Sequence, residues 1–334
     1  MKQSTDRPVA RFWGVVAPFL ILLFVAGLFV GLLAWKDARS ETSDLSGFAS
    51  LANFFVILIQ TVIVAIGALG MTMIIVSAGI DLSVGSVVAL SSVLGATLIR
   101  DGASLPVAIA GTILAGGAVG FLNGVVIAGF RLMPFIVTLG MLGIARGLAK
   151  GIADNQTVNF PESAIGRLMN EPLMKMEFLP PLGVVIAIVL ALLTAVLMQK
   201  TIFGRYIFAI GSNEATARLC GIRTGRLKLA IYTLAGLYFG LAGVMQLSRL
   251  RQGDPTAAVG LELDIIAAVV IGGASLNGGT GSVLGSMVGA LTMAVLRTGS
   301  QYMDWPTYMQ EIIIGVLIVM AVGLDQFRQS RRAK

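Results

Sequence analysis

Long apolar segments alternate with short polar ones along almost the entire chain. The clearest apolar segments cover residues 13–34, 52–78, 83–99, 105–128, 134–149, 181–198, 228–248 and 309–324. Two shorter ones, 262–274 and 282–298, flank a glycine-rich turn. A helix that crosses a bilayer needs about 20 predominantly apolar residues. The pattern therefore predicts an all-α protein, a polytopic membrane helix bundle of about ten transmembrane helices.

Composition also indicates a bilayer environment. Hydrophobic residues make up 56% of the 334-residue chain, whereas charged residues make up only 12%. Ordinary soluble domains carry about twice that share of charge. A soluble fold could not bury this much apolar surface, because surface area falls too slowly with size. Lipid must solvate much of it, and the 41 glycines suit helices that pack backbone to backbone.

The positions of Lys and Arg predict which face each polar segment occupies. With ten crossings and a cytoplasmic N-terminus, the inside segments are both termini and 79–82, 129–133, 199–227 and 275–281. These segments carry an excess of Lys and Arg, whereas the rest of the chain is slightly acidic. This is the distribution that the positive-inside rule requires, so both termini are expected in the cytoplasm.

The predicted organisation has one large membrane domain between two tails. Residues 1–12 form a cytoplasmic N-terminal tail, 13–324 the transmembrane domain, and 325–334 a basic cytoplasmic tail. Within the transmembrane domain, 199–227 is the main cytoplasmic loop and 150–180 is an extracytoplasmic loop. That outer loop is acidic, with Asp154, Glu162, Glu171 and Glu177.

Several function classes are excluded or disfavoured. The net charge of +7 is explained by topology, so no nucleic-acid partner is expected. A chain with one cysteine, Cys220, and no histidine offers no zinc or haem site and no histidine catalysis. No GxxxxGK[ST] phosphate-binding loop is present, so any ATP hydrolysis would belong to another polypeptide. The first apolar stretch exceeds a signal-peptide core and is expected to stay as a helix.

The cytoplasmic loop 199–227 contains a predicted short helix. Gly211 and Ser212 are expected to break the chain, Asn213 to cap the helix, and Gly221 to end it in a left-handed conformation. Glu214 lies four residues before Arg218, a favourable helical spacing. One side of the helix presents Ala215 and Leu219, followed by Ile222.

A helix of about two turns is not stable alone in water, so it must dock on a protein surface. Physical reasoning leaves two surfaces open. One is the cytoplasmic face of the chain itself, and the other is a groove in a partner protein.

The residues of this loop resemble a known family. The segment GRYIFAIGSNEATARLCGI is similar to the cytoplasmic coupling loop of bacterial permeases for ribose, xylose, arabinose and related sugars. The resemblance is carried by Gly204, Arg205, Gly211, Asn213, Glu214, Ala215, Gly221 and Ile222. Thr216 stands where the family commonly has Ala. Segments 70–90, 133–149 and 262–291 also resemble family signatures, whereas the first 50 residues do not.

The resemblance implies the permease subunit of an ATP-binding cassette (ABC) importer in the bacterial inner membrane. Such a permease is not itself an enzyme and binds no cofactor. It would pair with a second permease copy or a paralogous permease and with ABC ATPase subunits that use ATP and Mg. A periplasmic binding protein would deliver a monosaccharide. Alternatives are a permease for nucleosides, branched-chain amino acids or a sugar-like signal molecule. A secondary transporter or a membrane-embedded enzyme is a more distant alternative.

Polar residues inside the apolar segments are candidates for specific roles. In the turn 79–86, Asp81 or Ser83 can cap the following helix, and the alternative role of Asp81 is in an inner gate or an ATPase contact. Asn277 is the corresponding polar point in 272–282. Candidates for a sugar path are Asn53, Gln60, Thr72, Asn123, Thr138, Gln246 and Ser248, with interhelical hydrogen bonding as the alternative role. Charges expected within or close to helix ends on the outward-facing half are Arg146, Glu262, Asp264, Arg297 and Glu311. They are expected to cap, pair or snorkel, with the lining of an outer vestibule or contact with a binding protein as the alternative.

Overall fold

The computed structural model describes residues 7–40, 44–173, 176 and 179–332. Its helices are α1 (Arg7–Ser40), α2 (Asp44–Phe48), α3 (Leu51–Val76), α4 (Val84–Arg100), α5 (Leu105–Phe130), α6 (Pro134–Ile152), α7 (Arg167–Asn170), α8 (Leu182–Lys200), α9 (Ile202–Ser212), α10 (Glu214–Leu219), α11 (Thr224–Leu250), α12 (Leu261–Ile271), α13 (Val283–Tyr302) and α14 (Thr307–Arg332). Two short strands, β1 (Val158–Asn159) and β2 (Gln252–Gly253), pair antiparallel. Residues 1–6 and 333–334 of the predicted tails, and Glu177 of the outer loop, lie outside the described residues.

The helices confirm the prediction of a multi-pass membrane bundle. Seven of them, α1, α3, α5, α6, α8, α11 and α13, are long and apolar enough to cross a membrane. The other three predicted crossings correspond to α4, α12 and the apolar part of α14, each of which is shorter. The number of ten crossings therefore stays a prediction.

The centre of the bundle is formed by α3 and α11, whose middle parts are almost entirely buried. Helix α3 packs against α11, α12 and α13, and α11 packs along the whole of α5. The approach of α5 to α11 depends on glycine. A Cβ atom on Gly116 or Gly120 would overlap the backbone of α11 at Gly236 or Gly240. Small residues of this kind allow membrane helices to pack through their backbones.

The loops separate into two groups at opposite ends of the bundle. At one end, the turn after α3, the end of α9 and the glycine-rich turn after α12 meet, and Gly279 donates a backbone hydrogen bond to Val76 at 2.9 Å. At the other end, Lys36 at the end of α1 pairs with Asp304 after α13, at 2.7 Å. Segments predicted to be cytoplasmic thus lie together, which is consistent with the predicted connectivity. Which end faces the cytoplasm remains a prediction.

Helix α12 is only half as long as a crossing helix. Its 11 residues span about 16 Å at 1.5 Å per residue, against a hydrocarbon thickness of about 30 Å. The prediction placed this helix at 262–274, but it ends at Ile271. The helix ends there because Gly273 takes the left-handed conformation, with φ +90°, and the Ala274 N–H donates to the Val269 carbonyl at 3.1 Å. Gly272 also lets α13 approach, since a Cβ atom on it would overlap the backbone of Gly285.

An irregular segment, 251–260, precedes α12 and runs along the side of α4. Gly253 packs against Val93 and Ala96 of α4. Ala258 packs near the opposite end of the same helix, with its carbonyl at Gly85. The segment therefore enters the bundle from the end opposite the glycine-rich turn, and α12 begins inside the bundle.

Candidate functional site

The predicted polar loop 199–227 contains two helices rather than one. Residues Gly211 and Ser212 were expected to break the chain, but they form the last turn of α9. The prediction was wrong because α9 is amphipathic. Its Ile207 and Ile210 are buried, whereas Arg205 on its other side is exposed. Gly204 makes the corner after α8 possible, since a Cβ atom there would overlap the carbonyls of Leu197 and Met198.

Helix α10 has both of the predicted termini. The Asn213 side chain accepts a hydrogen bond from the Thr216 N–H at 2.9 Å, which satisfies one of the free donors of the first turn. Gly221 follows the helix with φ +84°, the left-handed conformation that glycine adopts without strain. The sequence of this segment therefore specifies its local structure.

Glu214 connects α10 to the start of α11. Its carboxylate pairs with Arg218 at 3.3 Å, as the spacing predicted, and with Lys228 at 2.7 Å. Partial burial opposes ionisation, but the hydrogen bond and charge of Lys228 outweigh it, so the pKa of Glu214 lies below its usual value. The carboxylate is therefore charged at neutral pH, and the contact with Lys228 is lost only as the pH falls through that lowered pKa.

The face of α10 that points away from the protein is apolar. Leu219 is 89% exposed, and Ala215 beside it is also exposed. Only Ala217, on the opposite side, is buried against the chain, and Ile222 is half-buried. The helix thus uses a small part of its surface to pack on its own protein and leaves an apolar side chain uncovered.

Three separate segments meet at close range where α9 ends. We call Val76, Gly211, Ser212, Gly278 and Gly279 the glycine junction. A Cβ atom on Gly211 would overlap the Val76 carbonyl and lie 2.6 Å from the Gly279 nitrogen. Gly278 and Gly279 both have positive φ, +84° and +74°. Because α10 begins only one residue after this junction, α10 is joined to the turns after α3 and α12 by a very short connection.

The turn between α3 and α4 contains a buried carboxylate. Asp81 Oδ1 accepts hydrogen bonds from the Ser83 N–H at 2.8 Å and the Ser83 hydroxyl at 2.6 Å. Ser83 lies at the N-cap of α4, but its side chain caps no helical N–H. The predicted side-chain cap is therefore wrong, because the hydroxyl donates to Asp81 instead. An inner-gate role for Asp81 remains a prediction.

Neighbouring helices hold this turn in place. The Asn123 amide of α5 donates to Ser83 Oγ at 3.2 Å, and the Leu82 N–H donates to Thr138 of α6 at 3.2 Å. The Tyr232 hydroxyl of α11 is buried beside Gly79 and has no hydrogen-bond partner among the described residues. The sequence did not single out Tyr232, because an isolated tyrosine in an apolar helix carries no signal.

The glycine-rich turn after α12 is ordered by short-range hydrogen bonds. The Asn277 N–H donates to the Ser275 hydroxyl at 3.3 Å, and Ser282 caps α13 by accepting from the Gly285 N–H at 3.3 Å. Asn277 is exposed at the same end as α10. The turn therefore contributes to the surface on which a partner at this end would rest.

Most of the residues suggested for a translocation path form contacts between helices or between helix and loop. Thr72 of α3 bonds to Ser286 of α13 at 2.7 Å, and Thr298 of α13 donates to Gln60 of α3 at 3.2 Å. The Asn53 amide donates to the Phe48 carbonyl at 2.8 Å. In this conformation these groups stabilise helix packing, as polar groups commonly do in membrane bundles.

Two further path candidates lie on α11. The Ser248 hydroxyl accepts from the backbone N–H of Met169, at 3.0 Å, and so fastens α7 to the bundle. Gln246 is half-buried one turn below the outer end of the helix. A role in the path for either residue remains a prediction.

The charged residues expected on the outward-facing half of the bundle lie within helices or in a first helical turn, and their placement relative to the membrane stays a prediction. Arg146 is about 18 Å along α6 from Pro134, and Glu262 is in the first turn of the half-length α12. Asp264 of α12 is buried and pairs with Arg297 of α13 at 2.5 Å. The pairing of Asp264 with Arg297 was not predictable, because the two residues are 33 positions apart in the chain.

Arg146 fixes the irregular segment before α12. Its Nη1 donates to the carbonyls of Pro255 at 2.8 Å and Ala257 at 2.6 Å. Glu262 and Asp254 lie within electrostatic range of the guanidinium. Glu311 is exposed on α14 and contributes nothing to this group.

Comparison with known proteins gives the family. Residues 53–322 match the family described as branched-chain amino acid transport system / permease component. The chain is 38% identical over 308 residues to the ribose import permease protein of Escherichia coli K12, covering 89% of this chain and 93% of that relative. It is 39% identical over 269 residues to the L-arabinose ABC transporter permease protein of Azospirillum brasilense, with 80% and 78% covered.

A fructose import permease protein of Rhizobium meliloti is 35% identical over 285 residues, which cover 84% of this chain and 79% of that relative. No solved structure matches the chain. The family match spans most of the chain, from α3 to α14, and all three relatives are permeases. The protein therefore belongs to the permease family of branched-chain amino acid transport systems and is a multi-pass protein of the bacterial inner membrane.

Proposed function

We propose that this chain is the permease subunit of an ABC importer and forms the translocation path for a monosaccharide. The observation that carries the proposal is its similarity to import permeases for ribose, arabinose and fructose, each at 35% identity or more. These solutes differ in ring size and stereochemistry but are all small neutral polyols. The class of solute is therefore better supported than any single sugar.

The exposed face of α10 supports coupling to a separate ATPase. Leu219 and Ala215 present an apolar surface at a loop end, and a groove in a partner would cover it. In the proposed mechanism the ATPase, with ATP and Mg, binds α10 and changes its position as nucleotide binds and leaves. Differential contacts in the two states shift the conformational equilibrium of the bundle. The permease binds no cofactor and performs no chemistry itself.

The remaining partners follow from the same proposal. A periplasmic binding protein delivers the solute at the outer end, where a cavity of about 280 Å³ lies between the loop 160–171 and Arg251. A second permease copy, or a paralogous permease, completes the path. Lipid covers the apolar faces of helices such as α8, on which Leu192 and Leu193 are exposed.

The proposal is tested by reconstitution with its ATPase and binding protein. Uptake of labelled ribose, arabinose and fructose into proteoliposomes is measured with ATP, with ADP, and with an imposed proton or sodium gradient. We expect ATP-dependent uptake of at least one monosaccharide and none driven by a gradient alone. Uptake of leucine or a nucleoside, with no sugar transported, would instead support the family's other named solute class or a nucleoside permease.

A further inference from the structure

The irregular segment 251–260 brings polar groups deep into the helix bundle. The segment descends along α4 from Gly253 to Ala258, and α12 starts about 16 Å from the inner end of its own crossing. Non-helical backbone at this depth is tolerated only where it is buried in protein or lines a water-filled cavity. Thr256 and Val259 are exposed and Asp254, Ala257 and Ala258 are half-buried, so the chain itself does not bury this segment completely, and we take the second condition to apply.

Glu262 is the least satisfied charge at this depth. Among the described residues it forms no ion pair and no side-chain hydrogen bond, in contrast to Asp264, which pairs with Arg297. The carboxylate lies against Gly85, where any side chain would collide with it. A carboxylate in contact with lipid is very costly, so we take the half-buried Glu262 to face Arg146 and a polar path rather than lipid.

The chain itself leaves the side of α12 around Glu262 uncovered. Val259 is 74% exposed and Leu263 is 49% exposed. On the neighbouring helix α6, Arg146 retains N–H donors beyond the Nη1 that binds the two carbonyls. Four α6 glycines face away from the chain's own helices, with space beyond each: Gly140, Gly143, Gly147 and Gly151.

We propose that Glu262, the remaining donors of Arg146 and the peptide groups of 254–258 form a binding site for a neutral polyhydroxylated solute on the translocation path. We call this group the half-helix site. It rests on the proposed function, because it assigns to that function the place where the solute is held. Carboxylate oxygens accept hydrogen bonds from solute hydroxyls, and the guanidinium donates to solute oxygens.

The charge of the half-helix site favours a neutral solute over an anionic one. Asp254 and Glu262 supply two negative charges near the single positive charge of Arg146. Asp254 is already engaged, since its Oδ1 accepts from the Thr256 N–H and hydroxyl, both at 2.7 Å. The net negative charge would repel a solute carboxylate, whereas hydroxyl groups carry no such penalty.

The first test is substitution of the carboxylate in the full importer. Loss of one hydrogen bond to a charged group lowers a binding constant or a rate by roughly tenfold to hundredfold. We expect Glu262→Gln to lower the maximal rate of sugar uptake by at least about tenfold, and Glu262→Asp to retain part of it. ATP hydrolysis stimulated by the binding protein should persist, because α10 is untouched. The matched control is Asp101→Asn, an exposed carboxylate paired with Arg100 at the outer end.

The second test does not depend on how well the Glu262 variants fold. Cys220 is the one cysteine of the chain, so Val259→Cys in a Cys220→Ser background places a single thiol at the half-helix site. We expect a small water-soluble thiol reagent to label it during turnover, and sugar with binding protein to slow the labelling severalfold. Leu192→Cys, on the lipid-facing side of α8, should remain unlabelled.

The outcomes separate this proposal from the proposed function. If wild-type importer moves sugar but Glu262→Gln moves it equally fast, the half-helix site is wrong and the permease function stands. Failure to label Val259→Cys means that lipid or protein covers this face, and this too overturns the site. Labelling unaffected by sugar would also contradict it. If the wild-type importer transports no monosaccharide at all, the proposed function itself fails.

Discussion

Gly211→Ala should weaken the connection between α10 and the membrane bundle. The added Cβ atom would overlap the Val76 carbonyl and lie 2.6 Å from the Gly279 nitrogen. Carbon atoms do not approach backbone atoms this closely, so α9 or the turn after α12 must move by roughly 1 Å or more. Such a movement would stretch or break the hydrogen bond from Gly279 to Val76, now 2.9 Å.

The size of the effect follows from three contributions. Forcing an extra methyl group into a closely packed contact costs about 1–3 kcal/mol. Loss of one backbone hydrogen bond adds about 1 kcal/mol, and the better helix propensity of alanine returns about 0.5–1 kcal/mol. The net cost at the junction is thus about 1–3 kcal/mol. If this contact couples α10 to the bundle, that cost corresponds to a change of roughly 5-fold to 150-fold in the equilibrium between the conformations that it couples.

The measurement is the number of sugar molecules imported per ATP hydrolysed by the reconstituted importer. We expect Gly211→Ala to lower that ratio while the protein still inserts and binds its ATPase, because the face of α10 is unchanged. Gly225→Ala is the control in the same loop, since its Cβ atom would lie 3.8 Å from Ala128, an ordinary contact. A Gly211→Ala importer with wild-type uptake and an unchanged ratio would refute the role of the glycine junction.

Two further predictions concern α10 and the topology. Ala215→Arg should release the ATPase during purification and abolish stimulated ATP hydrolysis, and normal transport by this variant would mean that α10 docks on its own chain. Asn213→Ala should cost only about 0.5–2 kcal/mol of local helix stability and reduce transport partially. The exposed Cys220 should react in intact cells only with membrane-permeant reagents, whereas Gln156→Cys in a Cys220→Ser background should react with impermeant ones. Labelling of both positions from the same side would contradict the ten-helix arrangement.

Local sequence signals predicted α10 accurately and α9 poorly. The ends of α10 depend on Asn213 and Gly221, which act within three residues of themselves, so their effect is visible in the sequence. Helix α9 contains Gly204 and Gly211, which normally indicate a break. In this helix glycine is needed at both positions, because neighbouring backbone comes too close to leave room for any side chain. That closeness is a property of the packed bundle and has no local signal.

The buried polar groups show the same limit. Asp81 and Ser83 were expected to cap α4, but the Ser83 hydroxyl donates to Asp81, and Asn123 of α5 approaches both. A residue of α5 is about forty positions away in the chain, so its hydrogen bonds could not be assigned from spacing. Similarly, Lys228 shares Glu214 with Arg218, although only Arg218 has helical spacing to it.

The sequence by itself determined the apolar helices, the membrane environment and the capped α10, because hydrophobic length and capping chemistry act over short stretches of chain. Only the tertiary structure decided that α12 is 11 residues long and that Arg146 of α6 binds the irregular segment before it. The physical reason is that depth and close approach are set by how helices distant in sequence pack together. Gly85, Gly211 and Gly272 permit that packing, but their roles become visible only when the atoms that fill the space beside them are known.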